Sequence, residues 1–100
     1  MKYALSQSSA GLNVKVGDSI TFDDHAKMKA LISEIEKGGS DHVELNLKEL
    51  RAIDSAGIGL LLLLNDRMKS VGGTLILTNI PPVPGKILDV AKIGEVIEIR

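Results

Sequence analysis

Strand-like and helix-like segments alternate along this sequence, which predicts an α/β fold in the order ββαβαβαβ. The expected architecture is a mixed, mostly parallel five-stranded sheet with helices packed against it. Three observations carry that expectation. Val43, Leu45 and Leu47 alternate with Glu44, Asn46 and Lys48, the period of a strand, whereas Met28, Leu31, Ile32 and Ile35 recur at helical spacing. Thr74-Leu75-Ile76-Leu77-Thr78 is a β-rich run of the kind found in buried strands.

In chain order, Tyr3 to Ser6 and Leu12 to Val16 read as two short strands, joined by the small, polar turn Ser8-Ser9-Ala10-Gly11. Gly17-Asp18-Ser19 breaks the pattern. Asp23 or Asp24 can cap a helix over 26–37, which ends at Gly38-Gly39. After the strand around Val43, a short connection from Glu49 to Ile53 leads to Asp54-Ser55-Ala56-Gly57-Ile58-Gly59. A helix follows from Gly57 through Met68, with five consecutive leucines at 60–64, and Val71-Gly72-Gly73 closes it. Pro81, Pro82 or Pro84 suits the first turn of the next helix, which continues through Ile87, Leu88, Val90 and Ala91 and ends at Gly94. Glu95 to Arg100 reads as a last strand.

One hundred residues are expected to form one domain with an aliphatic core, since the chain is 44% hydrophobic yet has one Phe, one Tyr and no Trp. A net charge of −1 and the lack of stacking aromatics argue against a nucleic-acid partner. The absence of cysteine fits a reducing cytoplasm. The N-terminal residues do not read as a signal peptide, and the apolar block from Ile58 to Leu64 is far short of the ~20 residues that span a bilayer. The expectation is a cytoplasmic protein with no membrane association.

The stretch from Ile53 to Gly59 joins a strand to the most hydrophobic helix, and Ser55 is its leading functional atom. Asp54 or Ser55 can accept a hydrogen bond from the first helical turn, a structural role worth ~1 kcal/mol. The same geometry places Ser55 at the carboxyl edge of the sheet, where partners of α/β folds bind, beside small residues that let another molecule approach. At helical spacing Leu61, Leu62 and Asn65 lie near one face, while Leu60, Leu63, Leu64 and Arg67 spread around the others. Neighbouring helices either cover these leucines or leave a docking patch beside Ser55. His25 and His42 admit a Ser55-centred hydrolase as an alternative, but Asp-Ser-Ala-Gly is not the Gly-x-Ser-x-Gly elbow. Asp23-Asp24-His25 lacks ligand spacing for a metal, and Gly57-Ile58-Gly59 lacks the lysine of a phosphate-binding loop, so no metal or cofactor is expected.

Val43 to Leu47, Ile53 to Leu60, Gly72 to Leu77 and Ile93 to Ile97 together resemble the STAS domain, the fold of bacterial anti-sigma factor antagonists and of the tails of sulphate transporters. The most specific part is Asp-Ser-x-Gly after a strand. The resemblance implies a single STAS-like domain acting as a non-enzymatic phospho-switch in bacterial transcription regulation. Ser55 would be phosphorylated by a serine kinase that is also an anti-sigma factor, and a metal-dependent serine phosphatase would reverse the mark. Asp54 would serve kinase recognition, and the small Ala56 fits its position. Gly57, Ile58, Leu60, Leu61 and Leu64 would complete a partner-binding surface. A structural or ligand-binding STAS module, with Ser55 merely capping its helix, is the alternative.

The turn Thr21-Phe22 followed by Asp24-His25 resembles one bacterial subgroup. The chain stops at Arg100 without the final helix many members carry, which would make it a minimal member or leave one sheet face to a partner or second copy. A monomer or a weak dimer is expected.

Overall fold

A computed structural model describes residues 1–100. Strands β1 (Lys2–Ser8) and β2 (Gly11–Ile20) precede helix α1 (His25–Gly38), strands β3 (His42–Asn46) and β4 (Leu50–Ile53), and helix α2 (Ser55–Ser70). Strand β5 (Thr74–Thr78), helix α3 (Pro82–Val90) and the short strand β6 (Glu98–Ile99) complete the chain. The sheet order is β1-β2-β3-β5-β6, with β4 paired to the far end of β2. Only the β1–β2 hairpin is antiparallel.

The expected five strands form the main path, and β4 is a sixth. Two segments differ from the sequence reading. Gly17-Asp18-Ser19 does not end β2: the register shifts between Asp18 and Ser19, Asp18 adopts a φ of 68°, and the strand continues beside β4. This bulge lets one strand pair with β3 first and β4 afterwards. At the C-terminus only Glu98–Ile99 pair with β5, because Ile93–Glu95 form a 3₁₀ turn.

The hairpin closes with Ser8 opposite Gly11, and Ala10 N–H donates to Ser8 Oγ at 3.3 Å. Gly11 sits at φ 128°, and a Cβ there would lie 2.4 Å from the His42 carbonyl oxygen, so both conformation and space require glycine. Pro82 opens α3 at a position where a missing N–H costs nothing.

Each parallel crossover steps along the sheet in the same direction, and right-handed connections therefore place all three helices on one face. That face holds Leu12, Val14, Val16, Val43, Leu45, Leu75 and Leu77. They share one cluster with Met28, Leu31, Ile32 and Ile35 of α1, Leu60, Leu61, Leu64 and Met68 of α2, and Leu88 of α3. The opposite face is polar apart from the buried Ile76, which explains how charged residues fit a central strand. Glu44 Oε2 there accepts from Asn13 Nδ2 at 3.2 Å and from Thr78 Oγ1 at 3.0 Å, tying three strands together. No helix is long and apolar enough to cross a membrane.

Candidate functional site

Strands β2 and β4 end side by side, with Ile20 opposite Ile53, and Asp54 N–H donates to the Ile20 carbonyl at 3.3 Å. The chain leaves the sheet here with Asp54 still extended, so its side chain faces the first turn of α2. Asp54 Oδ1 accepts from Gly57 N–H at 2.7 Å, which makes Asp54 the helix cap. Its second oxygen, Oδ2, accepts from Phe22 N–H at 3.3 Å. One carboxylate thus pins both the start of α2 and the turn ahead of α1.

With capping assigned to Asp54, Ser55 is the first helical residue, and its exposed hydroxyl makes no hydrogen bond within the chain. The positive end of α2 lies directly beneath it. Neither histidine meets the serine by a hydrogen bond. His25 opens α1, while His42 begins β3 and packs against Gly11 at the other end of the strands.

The leucine run corrects an expectation. Gly57, Leu60, Leu61 and Leu64 are buried, Leu61 and Leu64 completely, because α2 turns this face onto the sheet and α1. They build the core rather than a docking patch. Ala56 and Ile58 are half-buried, and Leu62 and Leu63 pack partly against the core. Asn65, in the same helix, is buried with its Nδ2 unpaired.

What the leucines do not expose, Phe22 does. Its side chain is 76% exposed, and with Asp23, His25, Ala26, Ala56 and Leu60 it lines a depression of about 510 Å³ beside Ser55. Leu60 contributes only its outer edge. The sequence pointed to His25 only as a catalytic partner of Ser55 and did not single out Phe22 or Ala26, although a lone phenylalanine inside a polar turn is a visible oddity.

The Phe22 turn is held from behind by Asp24. Its carboxylate accepts from Thr21 N–H at 2.7 Å, Thr21 Oγ1 at 3.1 Å and the Met1 amine at 2.7 Å. Burial alone would push this carboxyl up, but the hydrogen bonds from the amine and Thr21, with the amine's charge, hold it below its ordinary value of 3.8. A carboxyl depressed in the fold binds protons less readily than in the unfolded chain. It therefore contributes stability above the unfolded value, and that contribution is lost as pH falls through the folded one. The thermal midpoint should drop on acidification below about pH 4, and Asp24→Asn should show a shallower drop from a lower starting point. Equal slopes in melts taken across that range would refute the assignment.

Known proteins share this fold. The STAS family model described as "Mlab, STAS domain" matches residues 3–98. The phosphorylated form of the Bacillus cell-fate determinant SpoIIAA has a similar structure, with 22% identity, coverage of 99% of this chain and 91% of that one, and a TM-score of 0.72. SpoIIAA in its unphosphorylated form, described as an anti-sigma factor antagonist, matches with 23% identity, 88% and 82% coverage and a TM-score of 0.67. An anti-sigma factor antagonist from Mycobacterium paratuberculosis matches with 10% identity, 98% and 83% coverage and a TM-score of 0.84. At these identities the likeness is one of fold, and it is the fold of anti-sigma factor antagonists. Because the family match runs through nearly every element and includes the Asp54-Ser55 turn, the chain belongs to the STAS domain family.

Proposed function

We propose that this STAS domain is a phospho-switch whose acceptor is Ser55 and whose partner is a serine kinase that doubles as an anti-sigma factor. The observation that carries the reading is an exposed serine hydroxyl, free of any structural hydrogen bond, at the first turn of a helix already capped by Asp54. In the transfer, Ser55 Oγ takes the γ-phosphoryl of the kinase's ATP and gives up its proton, leaving ADP. The phosphoserine carries roughly −1.5 to −2 charges, which the positive end of α2 tolerates, so the fold survives. A partner seated on the Phe22 depression and Ala56 would have to desolvate that dianion, so binding does not survive. A metal-dependent phosphatase restores the free hydroxyl. The chain itself performs no catalysis in this scheme. The two solved forms of SpoIIAA, phosphorylated and unphosphorylated, support the reading by showing that this fold accommodates both states in that protein.

Asp54 does its work here by positioning: both carboxylate oxygens are engaged by backbone amides, which fixes the serine's turn for the kinase. The alternative is a structural or ligand-binding STAS module without phosphorylation; with Asp54 making the cap, Ser55 is not needed for that role in it. Ser55→Ala should accordingly change stability by no more than about 0.5 kcal/mol in urea denaturation. The same variant should bind the host's purified anti-sigma factor kinases at least as well as the unmodified protein and gain no phosphate in intact-mass analysis. Ser55→Asp should bind poorly. Equal binding by the wild type and both variants, or phosphate incorporation into Ser55→Ala, would rule the switch out.

A further inference from the structure

The polar face of the sheet carries a second feature that the switch does not use. Lys2, Lys15, Lys48 and Arg51 line one groove of about 930 Å³, with Asp18 and Glu49 also in its wall. Four cations against two acids leave an excess of two positive charges there, although the chain as a whole has a net charge of −1. The charge is therefore segregated rather than evenly mixed. All four cations are exposed, and none takes part in the structure's three ion pairs, which join Met1 to Asp24, Arg67 to Glu36 and Arg100 to Glu98. Unpaired like charges gathered around a concave surface raise the local potential and attract a complementary anion.

The register explains how the groove forms. Ala4, Lys15 and Asn46 are direct neighbours across β1, β2 and β3, so their side chains point to the same face, away from the helices. Alanine at position 4 and glycine at position 17 keep the floor low. Asn46 Oδ1 accepts from Lys48 N–H at 3.0 Å, which leaves the asparagine's amide donors unused, and Asn79 adds a second amide.

From these residues we infer that the groove is a docking site for a carboxylate-rich segment of a protein partner, separate from the Ser55 surface. Charge complementarity selects an acidic ligand. The rest of the lining selects a peptide among acidic ligands. The groove borders β1, the edge strand of the sheet, whose outer backbone groups are unpaired, and its asparagine amides match peptide carbonyls. No helix contributes to the wall, so the amide cradle typical of phosphate sites is missing. Nucleic acid would need more cations and stacking aromatics than this groove holds.

The test is a titration of the ¹⁵N-labelled full chain with a short Glu-rich peptide, its Gln-rich counterpart, inorganic polyphosphate and a single-stranded oligonucleotide. Saturable amide shifts are expected at Lys2, Lys15, Asn46, Lys48, Arg51 and Asn79 with the Glu-rich peptide, weakening as salt is raised. The double substitution Lys15→Glu with Arg51→Glu should reduce affinity about tenfold or more, and Lys15→Gln with Arg51→Gln by less. Thermal melts of both would confirm the fold, and Ser55→Asp should bind the peptide like wild type. Absence of saturable binding, equal binding of the Gln-rich peptide, shifts confined to the helical face or tighter binding of polyphosphate or oligonucleotide would each overturn the inference. None of these results would alter the reading of Ser55, which rests on its own variants.

Discussion

Replacing Gly57 with alanine is expected to destabilise the protein by about 3 kcal/mol or more, a large part of the roughly 5–15 kcal/mol that holds a domain together. Propensity argues the other way, since alanine is favoured over glycine inside a helix by about 1 kcal/mol. Sterics decide it. A Cβ at position 57 would lie 2.0 Å from the Ile20 carbonyl oxygen, 2.7 Å from its carbon and 2.9 Å from Ile53 Cγ1. The oxygen cannot swing aside, because it belongs to β2 and accepts the Asp54 N–H. Either the start of α2 lifts from the sheet or the β2–β4 pairing breaks. Gly59→Ala, two residues along the same helix, is the control, because a Cβ there meets nothing within 4 Å. It should be neutral or stabilising by up to about 1 kcal/mol. Urea denaturation of the two variants measures the contrast, and a similar shift in both would show that close packing at Gly57 is not what matters.

The alternation of Val43, Leu45 and Leu47, the spacing of Met28 to Ile35 and the run at 74–78 made the layers of this fold readable, because one buried face imposes a period on its residues. Where no period was imposed, reading failed. Leu50–Ile53 buries only its two ends, so β4 looks like a connection. Five leucines in a row have no amphipathic signature, and packing alone decides that Leu61 and Leu64 are sealed while Leu62 and Leu63 are half open. Gly17-Asp18-Ser19 has turn chemistry, yet β2 absorbs it as a bulge with Asp18 at positive φ. The serine motif itself was legible from its neighbours, but the choice between Asp54 and Ser55 as cap was not. Both residue types cap helices well, and the outcome depends on where the backbone turns helical. The Phe22 contact was out of reach for a different reason: it joins positions 22 and 54 through a hydrogen bond that no local pattern encodes.

That long-range bond sets the effect of changing Asp54. Asp54→Ala removes the cap on Gly57 N–H, worth about 1 kcal/mol, a bond to Phe22 N–H worth about 1 kcal/mol, and a favourable charge at the helix N-terminus, worth a few tenths. The expected loss is about 2 kcal/mol. Asp54→Asn separates the contributions. Its amide oxygen can still accept from Gly57, but the NH₂ that replaces the second oxygen cannot accept from Phe22, so about half of the loss should remain. The functional consequence should be larger than the stability cost. With α2 still capped in Asp54→Asn, the Ser55 backbone stays in place while the Phe22 turn loses its side-chain hydrogen bond to the residue that caps α2. If the depression formed by Phe22, Ala56 and Leu60 is what the partner grips, Asp54→Asn should weaken binding of the unmodified protein about tenfold while lowering stability by only about 1 kcal/mol and leaving unfolding cooperative, and Phe22→Ala should reproduce the binding loss. Binding isotherms beside denaturation curves for the three variants give the answer. Wild-type affinity for Asp54→Asn and Phe22→Ala would place the partner's grip elsewhere on the domain and reduce Asp54 to a helix cap.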